Sequence, residues 1–107
     1  MDETQRHPPA LEIERQLLAA LCSPALDQPT RAGIIAALRA YAFATPDHDV
    51  IFQALTKMPP AAIEHIRETL AARLTRLGFP DIDVNPIFEL EPPSAEKINL
   101  LLRQLGR

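Results

Sequence analysis

The stretch FATPDHDVIFQAL, residues 43–55, sets one histidine between two aspartates. Asp47, His48 and Asp49 carry the side chains of a metal site or of an acid–base pair. Their spacing does not suit an ion. Consecutive side chains on a helix point about 100° apart, so three neighbours cannot converge. Helical ligand pairs stand three or four residues apart, and four residues beyond His48 comes Phe52, which ligates nothing. The stretch therefore reads as a helix start, with the aspartates favoured by the helix dipole and His48 packing or hydrogen bonding locally.

His65 and Glu68, in HIRE, have the spacing that His48 lacks. Di-metal bundles need two carboxylate–histidine pairs and further glutamates on facing helices. This chain offers one pair, in reversed order. The segment reads instead as a solvated, salt-bridged face with Glu64 and Glu68 beside Arg67. Cys22 has no strongly basic neighbour in the sequence to stabilise a thiolate and reads as a buried structural thiol. Ser23 and Ser94 precede or cap turns, and neither lies in a nucleophile elbow. Arg67, Arg73 and Arg76 share one long helix and could face a phosphate backbone. Acids interleave with them, however, and no aromatic stacking residues accompany them. No catalytic residue, cofactor site or metal site is expected.

Composition excludes several classes. The net charge of −3 gives no global field that attracts nucleic acid. The three glycines, Gly33, Gly78 and Gly106, are too far apart for a phosphate-cradling loop. One cysteine cannot form an internal disulfide. The polar start, MDETQRHPP, lacks signal-peptide character, and no apolar run approaches the ~18 residues of a membrane span. A cytoplasmic chain with one domain is expected, at 107 residues and 47% apolar composition.

The elements that must position these residues are set out by eleven prolines, which fall between or at the starts of apolar-periodic segments. Residues 1–9 read as a flexible arm and 10–107 as the domain. Five helices are predicted. The first covers about 10–22, with Ile13, Leu17, Leu18 and Leu21 on one face. The second covers about 30–41, with Ile34, Ile35, Leu38 and Tyr41 inward. The third starts at Pro46 after a Thr45 cap and buries Val50, Ile51, Ala54 and Leu55. The fourth covers about 60–77, with Ile63, Ile66, Leu70, Leu74 and Leu77 on one stripe and a Schellman ending at Gly78 and Phe79. Ser94 caps the last, where Ile98, Leu101, Leu102 and Leu105 recur. Residues 81–93 are ambiguous: Ile82 and Val84 alternate as in a strand, while Asn85-Pro86 suits a short helical turn. An extended segment plus a turn of helix is expected. The class is all-α, a compact orthogonal bundle of five to six helices.

Taken in order, three stretches resemble the N-terminal domain of DnaB-type replicative DNA helicases. The segment Phe-x-x-Pro-x-His-x-x-Ile-Phe-x-Ala-Leu is similar to the opening of that family's third helix. PALEIERQLLAALC, residues 9–22, resembles its first helix, and PSAEKI, residues 93–98, the start of its sixth. The resemblance implies that Phe43, Pro46, His48, Ile51 and Phe52 are core or hinge residues. It implies protein partners from replication: a primase, a helicase loader or a helicase collar. Ile98, Leu101, Leu102, Arg67 and Arg73 are the residues expected to face such a partner. Family members continue into an ATP-hydrolysing motor and a dimerising helical hairpin. This chain carries no phosphate loop and ends about where the hairpin's first helix would still be running, so a monomer or weak homodimer is expected. The last helix is expected to dock in a groove left by Ile63, Leu70 and Leu77. The competing class is a small nucleic-acid-binding regulator that uses Arg67, Arg73 and Arg76.

Overall fold

The computed structural model describes residues 10–58 and 65–105, and every regular element among them is a helix. The elements are α1 (Ala10–Leu21), α2 (Gln28–Arg39), α3 (Pro46–Thr56), α4 (Ile66–Arg76), α5 (Asn85–Phe88) and α6 (Ala95–Leu105). The arm expected at residues 1–9, the expected start of the fourth helix with Ile63 and Glu64, and Gly106 lie outside the described residues.

α1 is the hub. It packs against α2, α3, α5 and α6, and it is buried without a break from Leu17 to Leu21. A helix covered on several sides cannot keep a polar face there, which is why its last five residues, 17–21, are all apolar. Ala19 and Ala20 are small enough to let neighbouring helices close in. The remaining helices each add a narrower stripe: Ile34 and Leu38 from α2, Ile51, Phe52, Ala54 and Leu55 from α3, Leu70 and Leu74 from α4. Each fully buried leucine or isoleucine contributes about 1.5–3 kcal/mol. The radius of gyration, 13.6 Å, is near the ~13 Å of a folded domain of this length.

Local chemistry sets the ends of the helices. α2 starts at Gln28, two residues before the expected Thr30, because Asp27 is the cap: its carboxylate accepts from the Thr30 N–H at 3.0 Å and from the Thr30 hydroxyl at 2.8 Å. Donation from the Thr30 hydroxyl, then from its amide, holds the Asp27 carboxyl below the usual range. Thr45 caps α3, accepting from the N–H groups of Asp47 at 3.0 Å and His48 at 3.4 Å. At the end of α4 the Phe79 N–H donates to the Leu74 carbonyl at 2.8 Å and the Gly78 N–H to that of Thr75 at 3.0 Å, the Schellman pair. Gly78 has φ of 93°, where a side chain would strain the backbone. The Ser94 hydroxyl accepts from the Lys97 N–H at 3.2 Å and caps α6.

The turn of helix expected within residues 81–93 is α5, opened by Asn85-Pro86, which buries Ile87, while Ile82 and Val84 pack half-buried on the core. Three expectations need correction. Leu77 does not continue the buried stripe of α4 and is 41% exposed, because it sits at the C-cap where the chain leaves the helix. α6 packs chiefly on α1 and α2 rather than in a groove of α4. That placement buries Ile98 and Leu101 in the core, so neither is available to a partner, while Leu102 stays half-buried.

Candidate functional site

The principal polar feature of the interior lies where α1 meets α3. Glu14 is fully buried, yet it occupies the apolar stripe of α1, with Leu17, Leu18 and Leu21 three, four and seven residues on. Three donors satisfy it. The His48 ring Nδ1 stands 2.7 Å from Oε1, and Oε2 accepts from the Tyr41 hydroxyl at 2.5 Å and the Ala44 N–H at 2.8 Å. A carboxylate in its ionised form only accepts, and against it the ring hydrogen belongs on Nδ1. One side chain of α1 thereby fixes the α2–α3 connection at two points and the first turn of α3 at a third.

A buried carboxylate is costly unless it is paired and hydrogen-bonded, and here three of its roughly four acceptor positions are filled. The Tyr41 hydroxyl is pushed up to about 12, by burial first and then by its bond to Glu14 and the negative charge there. Aromatic contacts extend the node into the core. The Tyr41 and Phe43 rings meet edge-on at 5.3 Å, and Phe43 lies tilted at 5.5 Å from the buried Phe52.

Of the residues expected to be core or hinge, His48, Ile51 and Phe52 are buried and Phe43 is half-buried, while Pro46 is exposed at the first position of α3. His48 packs into the core, as expected, but its ring bond is not local. Its partner is 34 residues away in the sequence.

A carboxylate that orients a histidine is also half of a catalytic triad. The third member, a hydroxyl or thiol on the other ring nitrogen, is not supplied by the described residues. The nearby Thr45 hydroxyl accepts from the helix backbone. Ser23 accepts from the Ala25 N–H at 3.2 Å, and Ser94 caps α6. Cys22 is buried, and burial pushes its thiol up to about 12; the Arg31 guanidinium, brought near by the fold, pulls the other way and loses. Among the described residues, no three metal-ligating side chains cluster.

The arginines of α4 do not act together. Arg67 lies over the Phe88 ring of α5, 4.9 Å from its centroid. Arg73 and Arg76 line a shallow surface hollow with Glu68, Thr69 and Ala72. Glu68 has no ion-pair partner among the described residues, so the expected salt-bridged face is not formed there.

Glu14 had no assigned role in the sequence, although a signal was present: a carboxylate in the middle of a leucine stripe must find a buried partner. Comparison with protein-family models, with curated proteins and with solved structures found no match to this chain. No helix among the described residues is long and apolar enough to cross a membrane.

Proposed function

We propose that the chain is a non-catalytic protein-interaction module of the replication machinery, of the kind found at the N-terminus of DnaB-type helicases. Its partners are a primase, a helicase loader or a replicative helicase, and it works in the cytoplasm as a monomer or weak homodimer. One observation carries the reading. The three stretches that resemble the helicase domain, residues 9–22, 43–55 and 93–98, are far apart in sequence and pack together, because α3 and α6 both lie on α1. Their distinctive residues hold one another in place: Glu14 with His48, Phe43 with Phe52, and Ile98 in the same core as Leu17 and Leu18.

The nucleic-acid reading requires Arg67, Arg73 and Arg76 to face one backbone together. Arg67 is turned to Phe88, and the acidic Glu68 lines the same hollow as the other two, which weakens that reading.

Calorimetry against purified primase, loader and replicative helicase, at micromolar concentration, tests the proposal. Saturable binding to one of them that survives a rise from about 50 to 200 mM salt is expected. No binding to any of them, together with DNA binding that collapses over that salt range, would replace it with the nucleic-acid reading.

A further inference from the structure

The second ring nitrogen of His48, Nε2, bonds to no described residue. The residue is only 7% exposed, yet it contributes to a surface. That surface is a groove of about 370 Å³ between the N-terminal ends of α1 and α3 and the segment that leads into α5. The buried Ile51 and Ile87 lie in its lining, with Leu11 and Pro86 exposed beside them. The charges on it are Asp47 and Asp83 against one Arg15, and none of the three has an ion-pair partner among the described residues. Asp83 uses one oxygen to accept from the Asn85 N–H at 3.0 Å, and the other bonds to no described residue.

We infer that this groove is a docking pocket for an arginine side chain of a partner protein. Two carboxylates in the lining of a small, partly apolar hollow, neither in an ion pair among the described residues, fit a planar cation with several donors and a methylene stem. In the tautomer that carries its one ring hydrogen on Nδ1, His48 adds Nε2 as a further acceptor in the lining. The excess of two negative groups over one positive favours a cation, and Arg15 limits its affinity. An anionic guest would meet both aspartates. The inference deepens the protein-interaction reading and rests on it for the nature of the partner.

The test uses ethylguanidinium as probe, followed on the backbone amides by NMR. Saturable shifts confined to the lining, at Asp47, His48 and Ile87, are expected. Asp47→Asn and Asp83→Asn keep the shape and the Asn85 bond, and each should weaken binding about two- to fivefold. Arg15→Ala should strengthen it. Absence of saturable shifts, shifts unchanged in both asparagine variants, or saturation of the same amides by acetate would each overturn the pocket.

The double variant separates this inference from the function proposed above. A replication protein that binds it and the wild type equally leaves the function standing and overturns the pocket. Guanidinium binding in the pocket, with no replication protein bound, supports the pocket and overturns the function.

Discussion

At the α1–α3 seam a glutamate and a histidine 34 residues apart stand 2.7 Å from each other, out of water. At the start of α4 a histidine and a glutamate three residues apart, His65 and Glu68, both face solvent and form no ion pair. In sequence the second pair carries the stronger signal, because its spacing is the one that helical sites use. In the fold the first pair has the energetic weight. Local spacing shows which side chains can meet on one helix; burial decides whether the meeting matters, since an exposed pair gains little against water.

The sharpest way to break this contrast is Glu14→Ala. Removing the carboxylate strands the His48 ring, the Tyr41 hydroxyl and the Ala44 amide, and should cost about 3–5 kcal/mol by urea denaturation. Phe52→Ala, at the apolar end of the same seam, should cost a similar ~3–5 kcal/mol. If either variant unfolds within 0.5 kcal/mol of wild type, on the scale of a typical surface substitution (roughly ±0.5 kcal/mol), the seam is not where stability resides.

Tyr41→Phe removes one of the three donors and leaves the ring packed on Phe43. A hydrogen bond to a charged acceptor supports about 1–2 kcal/mol here, since Tyr41 is half-exposed. A loss equal to that of Glu14→Ala would mean that the tyrosine, not the histidine, anchors the carboxylate.

Alkaline pH probes the seam without a mutation. Tyr41 and Cys22 both have folded-state pKa values of about 12, raised chiefly by burial from the ordinary 10.0 and 9.0. A raised value means that the folded chain holds the proton more tightly than the unfolded one. The associated stability is complete below about pH 9 and is lost as pH climbs toward 12. Wild type should therefore destabilise faster than a Tyr41→Phe, Cys22→Ala double variant over pH 9–12. Parallel curves would show that neither group is protected by the fold.

How much of this was legible follows from the range of the interactions. Thr45-Pro46, Gly78-Phe79 and Ser94 each act within five residues, and each ends or starts a helix where the sequence places it. Asp27 acts over the same range, and the expected start at Thr30, its own bonding partner, lies two residues beyond the true one because the apolar pattern does not show the cap. Residues brought together by the fold were not readable from spacing. The Glu14 bond to His48, the Arg31 charge near Cys22 and the Arg67 stack on Phe88 all join separate segments. The docking of α6 on α1 and α2 is of that kind too. Its apolar stripe was plain, but a stripe does not name the helix that covers it.

The smallest effect belongs to the pair with the better spacing. His65 is the N-cap residue of α4, yet its side chain makes no capping bond, and Glu68 is exposed in the first turn. His65→Ala should therefore leave unfolding within about 0.5 kcal/mol of wild type. Glu68→Ala loses a favourable position near the helix dipole and should cost about 0.3–0.5 kcal/mol, less at high salt. The two changes should add, because residues that share no bond and no burial have nothing to couple. Against this, Glu14→Ala and His48→Ala should be strongly non-additive, the second change costing little once the first has broken the pair. Coupling between His65 and Glu68 in the same double-mutant cycle, or a melting temperature raised by zinc and lost in His65→Ala, would give the α4 pair a role that its exposed geometry does not predict.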